Sequence, residues 1–420
     1  MRFHTLADWL AWQETLHPKE IDLGLDRVAR VFGLMGLTDP GFTVITVAGT
    51  NGKGSTVAML EAILRAAGYR VGSYTSPHLL RYNERIRIDG EEVADEELCA
   101  SFARVDAARG ETSITYFEFG TLAALDILQR RGVDIAILEV GLGGRLDAVN
   151  ALAADVAVIT PIDIDHVQWL GPDRESIGRE KAGIMRPGRP VVCSDPAPPR
   201  VIADEAARVD AHLYQLGREF TCETVDGQWS WRCETRRRDA LPLPALRGEY
   251  QVANAAGVLM ALELLRDRFP VDQGAVRAGL ATVQLAGRFQ VLPGVPVQIL
   301  DVAHNPHSAR SLAQNLRQQP CGGRTLAVLA MLADKDIPAV VKAMEGVVDA
   351  WYLAGLDVPR GADAETLRAA VAAALPTASM QVFATVGDAR RQALADAAIT
   401  DRVVVFGSFH TVAAALAEAV

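Results

Sequence analysis

The chain is poor in the features that mark secreted, metal-caged or nucleic-acid-binding proteins. Its five cysteines, Cys99, Cys193, Cys222, Cys233 and Cys321, are scattered with no C-x-x-C pair. That spacing offers neither a zinc site nor a disulfide framework. No apolar run reaches the length that crosses a bilayer, and the start, MRFHTLADWLAWQETLHPKE, breaks its apolar residues with charges as a signal peptide does not. A soluble cytoplasmic protein with no membrane partner is the expectation. A formal charge of -10 gives no overall attraction for nucleic acid. The single basic cluster, Arg236-Arg237-Arg238, sits beside turn residues and reads as a solvated loop edge.

What is present is ordinary globular composition, 50% hydrophobic and 22% charged, over 420 residues, enough for two or three domains each with its own core. The most informative stretch is Thr43 to Thr56, TVITVAGTNGKGST: a β-branched run, a glycine-rich turn with one lysine, then a helix-forming segment. This pattern builds a phosphate site, because glycine lets backbone N–H groups close on phosphate oxygens at a helix N-terminus and Lys53 adds a mobile charge. The spelling departs from G-x-x-x-x-G-K-[ST]. The first glycine is Gly49, Gly54 follows the lysine, and the hydroxyls come at Ser55 and Thr56.

Short β-rich runs alternate with helical patterns, which predicts parallel sheets with crossover helices and ligands beyond the strands' carboxyl ends. Buried-strand candidates are 133–140, 155–160 and 190–194. Residues 220–238 alternate about Asp226-Gly227 and predict a β-hairpin excursion. A second series, PVQILDVAH, TLAVLAML, DAWYLAG, MQVFATV and RVVVFGS, predicts a smaller α/β domain at 288–420, after a first domain at 1–287.

Polar residues stand at predicted strand ends. Glu139 precedes the open glycine loop GLGGRLDAVN, where a carboxylate can hold Mg²⁺ near phosphates or simply close a strand. His166 and Ser76 also follow strands, and Lys181 lies in a helix-like segment. From the residues alone, His166 reads as a hydrogen-bonded structural residue, Ser76 as a hydroxyl at a turn fixed by Pro77 that could face a metal, and Lys181 as a solvated helix-face lysine.

Taken in order, GTNGKGS, TSPHL, LEVGLGGRLDAVN, DIDHVQWLG, EKAGIMR, GRFQ and DVAHNPHS resemble the folylpolyglutamate synthase family, with wider kinship to the Mur ligases. The resemblance runs from about Leu23 to His410. It implies an α/β fold: a P-loop, Mur-ligase-like ATPase domain with a parallel-rich sheet, and a smaller Rossmann-like C-terminal domain. It also implies an ATP-dependent amide ligase that activates a carboxylate as an acyl phosphate for attack by an amino acid's amine.

The same resemblance assigns residues. Asn51, Gly52, Lys53, Gly54 and Ser55 would wrap the ATP phosphates. Ser76, Glu139 and His166 match magnesium-ligand positions, and Lys181 matches a lysine that is often carbamylated, which would support a second Mg²⁺. Lys53, His166 and Lys181 are the catalytic candidates. Asn254 would lie near the base, Arg288 would reach the phosphates, Asp301 would bind the ribose, and His304 would lie close by. Asp26, Arg27 and Val28, with Thr115, Tyr116, Phe117 and Glu118 and with Leu146, Asp147 and Ala148, match the dihydropteroate-binding segments. The implied substrates are dihydropteroate, reduced folates and L-glutamate, and the implied working form is a monomer. Two rivals fit less well. A cell-wall ligase would carry a nucleotide-carrier domain before the phosphate loop, and a guanine switch would show N-K-x-D where this chain has ADKD at 333–336.

Overall fold

The computed structural model describes residues 2–19 and 21–418. The chain divides into two compact units, one holding the residues up to His78, Tyr82–Ala245 and Gln251–Val283, the other Leu79–Arg81, Leu246–Tyr250 and the chain from Gln284.

The first unit is built on an eight-stranded sheet. Its strands are β1 (Thr43–Ala48), β2 (Val71–Tyr74), β3 (Ile86–Ile88), β4 (Glu91–Glu92), β5 (Ile135–Glu139), β6 (Val156–Ile159), β7 (Pro190–Cys193) and β8 (His212–Gln215). They run in the order β4-β3-β2-β5-β1-β6-β7-β8. From β2 to β8 every pairing is parallel, and β3 and β4 add an antiparallel edge. Every residue of β1 and β5 is buried, as both faces of a parallel sheet require. One apolar layer gathers Trp9, Phe102, Phe119 and Leu122, and the other Ile159, Ile177, Val191 and Ile202.

Residues 220–242 form three antiparallel strands, β9 (Phe220–Val225), β10 (Gln228–Cys233) and β11 (Arg237–Pro242), in the order β11-β10-β9. The β9–β10 turn is the expected one: Asp226 and Gly227 both have positive φ, at 48° and 75°, as a two-residue hairpin turn demands. The sheet extends one strand beyond the expected hairpin. That strand corrects the reading of the arginine run as a loop edge, because Arg238 pairs in register with Trp231 and is buried, its guanidinium donating to the Val271 carbonyl at 2.8 Å.

The second unit holds β12 (Gln290–Leu292), β13 (Val297–Asp301), β14 (Thr325–Leu329), β15 (Ala350–Ala354), β16 (Ser379–Phe383) and β17 (Arg402–Phe406), in the order β12-β13-β17-β14-β15-β16. All pairings are parallel except β12 with β13. Apolar clusters cover both faces, around Leu312, Val340 and Trp351 on one side and Val386, Ala389 and Val412 on the other. No helix among the described residues is long and apolar enough to cross a membrane.

Candidate active site

Four neighbouring strands of the first sheet, β2, β5, β1 and β6, end on the same edge, and their carboxyl ends carry the chemistry. β1 leads into residues 49–52 and then the helix Lys53–Ala66. Gly52 is that helix's N-cap, with φ of 89°, a left-handed conformation that glycine adopts without a Cβ penalty. Thr50 ties the loop to the chain after β6: its hydroxyl donates to the Asp163 carbonyl at 2.9 Å and accepts from the Asp163 N–H at 3.1 Å.

Two lysines meet on one oxygen of this loop. Lys53 Nζ donates to the Gly49 carbonyl at 3.0 Å and to that of Thr50 at 3.3 Å, and Lys181 Nζ donates to the Gly49 carbonyl at 3.0 Å. Lys181 is 4% exposed, which corrects the option of a solvated helix face. Burial, aided by the Lys53 cation and opposed by Asp165 and Asp147, lowers its pKa to about 7.

Glu139 closes β5, opposite Val47 in the β1 register, and is buried. The backbone N–H of Ser76, two residues beyond β2, faces Glu139 Oε2 at 3.4 Å. One carboxylate and one hydroxyl beside a phosphate loop suit Mg²⁺, which takes few protein oxygens and completes its shell with water and phosphate. No group of three or more His, Cys, Asp or Glu among the described residues is arranged to hold a metal by itself. His166 follows β6 with φ of 51° as N-cap of a short helix, its Nε2 3.9 Å from Asp165 Oδ1.

Two of the segments matched to dihydropteroate, those of Arg27 and of Thr115 to Glu118, meet at one helix start. Thr115 caps the helix Tyr116–Arg131 in a reciprocal box with Glu118: Glu118 N–H donates to Thr115 Oγ1 at 3.2 Å and Thr115 N–H to Glu118 Oε2 at 2.7 Å. Arg27 reaches the other Glu118 oxygen at 3.1 Å. The Phe117 ring lies 6.1 Å from that of Tyr74 and presses on Gly141, where a Cβ would sit 2.5 Å from the ring. Asp147 is buried with its oxygens turned to its own loop, accepting from Leu142 N–H at 2.8 Å and Val149 N–H at 3.0 Å. Burial raises its pKa to about 6 against those hydrogen bonds. Val28 is packed wholly in the core, Ala148 is buried, Leu146 is half-buried, and Asp26 is exposed at a helix start.

In the second unit the β12–β13 hairpin brings Arg288, Asp301 and His304 together. Asp301 Oδ2 accepts from Phe289 N–H and Oδ1 from Ala303 N–H, both at 2.8 Å. The helix that follows is capped by Asn305, in a box with Ser308, and not by Asp301. Arg288 carries its guanidinium over the Phe409 ring at 5.7 Å, and His304 Nδ1 sits 2.9 Å from the Val302 carbonyl.

Residues 47–262 match the Mur ligase middle domain and residues 287–409 the Mur ligase glutamate ligase domain. The dihydrofolate synthase/folylpolyglutamate synthase of Escherichia coli strain K12 is 48% identical over 408 residues, which span 97% of this chain and 94% of that protein. The chain belongs to the dihydrofolate synthase/folylpolyglutamate synthase family. Two solved structures of this family align over 99% of the chain and 98% of their own. One is Escherichia coli FolC in complex with DHPP and ADP, with TM-score 0.94 and 47% identity. The other is a bifunctional folylpolyglutamate synthase/dihydrofolate synthase with Mn, AMPPNP and L-glutamate bound, with TM-score 0.92 and 48% identity. As in the family, the fold is α/β, with a large parallel-rich sheet and a second C-terminal sheet.

Sequence reading passed over Gln251 and Asp163. Gln251 stands three residues before Asn254 on the helix Tyr250–Leu264, a spacing that puts both on one face. Asp163 holds Thr50 through its backbone, which leaves no compositional signal.

Proposed function

We infer that the protein joins L-glutamate to dihydropteroate and extends reduced folates with further glutamates. ATP activates the acceptor carboxylate as an acyl phosphate, and ADP and phosphate are released. The observation that carries the reading is the meeting, at one sheet edge, of the Lys53 loop with buried Glu139, beside a segment that offers the Phe117 ring. The family relatives support it, since one binds DHPP with ADP and another binds AMPPNP with L-glutamate.

The residue roles are those that the family resemblance implies, and the positions described above support them. Asn51 to Ser55 line the start of the helix Lys53–Ala66 and cradle phosphate, and Lys53 exchanges its carbonyl contacts for phosphoryl oxygens as charge moves to the carboxylate. Ser76, Glu139 and His166 would hold Mg²⁺, which when bound would neutralise phosphate charge. Lys181, held close to neutrality by burial, would add its amine nitrogen to carbon dioxide and release one N–H proton to solvent, giving an anionic carbamate that would serve a second Mg²⁺. Phe117 stacks on the pteridine, with Arg27 and Glu118 setting the wall beside it. Asn254 receives the base, and Arg288, Asp301 and His304 serve the phosphates and ribose. The working form is a monomer in the cytoplasm.

The test is phosphate release with MgATP and L-glutamate, offering dihydropteroate and tetrahydrofolate in separate reactions, with products checked by mass. Turnover with both is expected, together with a loss on the order of 10²–10³ in kcat for Lys53→Ala. Turnover with tetrahydrofolate alone would refute the assignment of Asp26 to Val28, and turnover with neither would refute the reaction.

A further inference from the structure

Gln251 is wholly buried, and its one amide bridges two groups of the first unit. Its Nε2 donates to Ser55 Oγ at 3.2 Å, and its Oε1 accepts from Asn254 Nδ2 at 3.1 Å. A glutamine has one donor end and one acceptor end, so using both fixes the partners' polarity as well as their position. Ser55 must accept from Gln251, which leaves its own hydroxyl proton to be donated elsewhere. Asn254 must turn its Nδ2 toward Gln251, which leaves Oδ1 on the side away from it. That oxygen is buried with no hydrogen-bond partner among the described residues, and it lies against the phosphate loop, where a Cβ added to Gly52 would sit 2.8 Å from it. A buried, unpaired acceptor is costly unless a ligand donor meets it.

We propose that Gln251 is a positioning residue for nucleotide: it presents the Ser55 hydroxyl as a donor to phosphate oxygen and sets Asn254 Oδ1 as an acceptor that selects a base with an exocyclic amine. This rests on the nucleotide reading of the loop. Adenine supplies such an amine. Hypoxanthine carries a carbonyl there and would set acceptor against acceptor. Without Gln251 the Asn254 amide is free to put its NH₂ where Oδ1 stands, and the preference for the amine is lost.

The test uses the full chain and equilibrium binding, so it needs no acceptor substrate. Gln251→Met keeps the volume and removes both hydrogen bonds. Calorimetric Kd values for ATP and ITP are measured on wild type and variant, with hydrogen exchange over residues 49–56 in the nucleotide-free protein. The expected result is a fall in the ATP-over-ITP preference of roughly fivefold, the worth of one net hydrogen bond, with faster exchange in the loop. Unchanged preference or unchanged exchange overturns the proposal, as does a wild type that fails to distinguish the two nucleotides. If the methionine variant does not fold, Gln251→Glu decides: it still accepts from Asn254 but cannot donate to Ser55. It should keep the preference while binding both nucleotides roughly fivefold more weakly, and a lost preference or wild-type affinity sinks the idea. A wild type that binds no ATP removes the nucleotide reading as well, whereas normal binding by wild type and variant alike removes only the role of Gln251.

Discussion

Lys53 and Lys181, 128 positions apart in the chain, donate to the same carbonyl oxygen, that of Gly49, each at 3.0 Å. Burial is the larger reason that Lys181 loses its proton near pH 7, and the neighbouring Lys53 cation is the next. Only the neutral amine captures carbon dioxide, and the depressed pKa means the neutral form grows as pH rises through about 7. In [¹³C]bicarbonate the carbamate resonance should therefore appear across that range and be absent from Lys181→Met. Lys53→Met removes one cause of the depression and should move the onset to higher pH. An onset at the same pH in that variant would show that the two ammonium groups do not sense each other.

Gly141 has no room for a side chain, because the Phe117 ring occupies the place of its Cβ. Gly141→Ala should displace the ring at an overpacking cost of about 1–3 kcal/mol. If Phe117 faces the pteridine, the KM for dihydropteroate should rise by roughly tenfold or more, while the KM for ATP stays within about twofold. Equal rises in both would place the damage in the phosphate loop and remove Phe117 from the acceptor site.

The frame and the phosphate loop were legible because each left a local signal. Unbroken β-branched runs predicted β1, β5, β6 and β7, and Asp226-Gly227 predicted its turn. The short antiparallel strands β3 and β4 and the third strand β11 were not legible, since three or fewer residues carry no period and an arginine run looks solvated. The burial of Lys181 and Arg238 was hidden for the same reason: a charged residue reads as exposed until tertiary contacts supply its carbonyl acceptors. Strand ends marked Glu139 and Ser76 as candidates, but only the order β2-β5-β1-β6 brings them beside the loop. For Gln251 the i,i+3 spacing to Asn254 was visible, while its partner Ser55 lies 196 positions away.

Asp147 carries a pH signature. Its folded-state pKa, about 6 against an ordinary 3.8, means the folded protein holds this proton more tightly than the unfolded chain. The stability it contributes is therefore present at low pH and is lost as pH rises through about 6. Asp147→Asn, which does not titrate, should compare less favourably with wild type at pH 5 than at pH 7, by roughly 1 kcal/mol. Urea unfolding of both proteins at the two pH values checks this, and a gap that does not change with pH would mean the carboxyl titrates as it does in water.

Asp301 holds the backbone of the second unit before it meets any ligand. Phe289 adopts φ of 43°, a strained conformation for an aromatic residue, and its N–H is fixed by Asp301 Oδ2 while Oδ1 fixes Ala303. A carboxylate accepts with both oxygens, whereas an amide accepts with one and points donors at the other amide. Asp301→Asn should therefore leave one buried N–H unpaired and cost about 1–3 kcal/mol, independent of any role with ribose. The two contributions separate by measurement. Denaturant unfolding without nucleotide reports the turn, and the ATP Kd of the folded fraction reports the ligand. An asparagine variant with wild-type stability and weakened ATP binding would make Asp301 a ligand residue alone. The reverse result, lost stability with wild-type ATP binding, would make it a brace for the backbone of this turn alone.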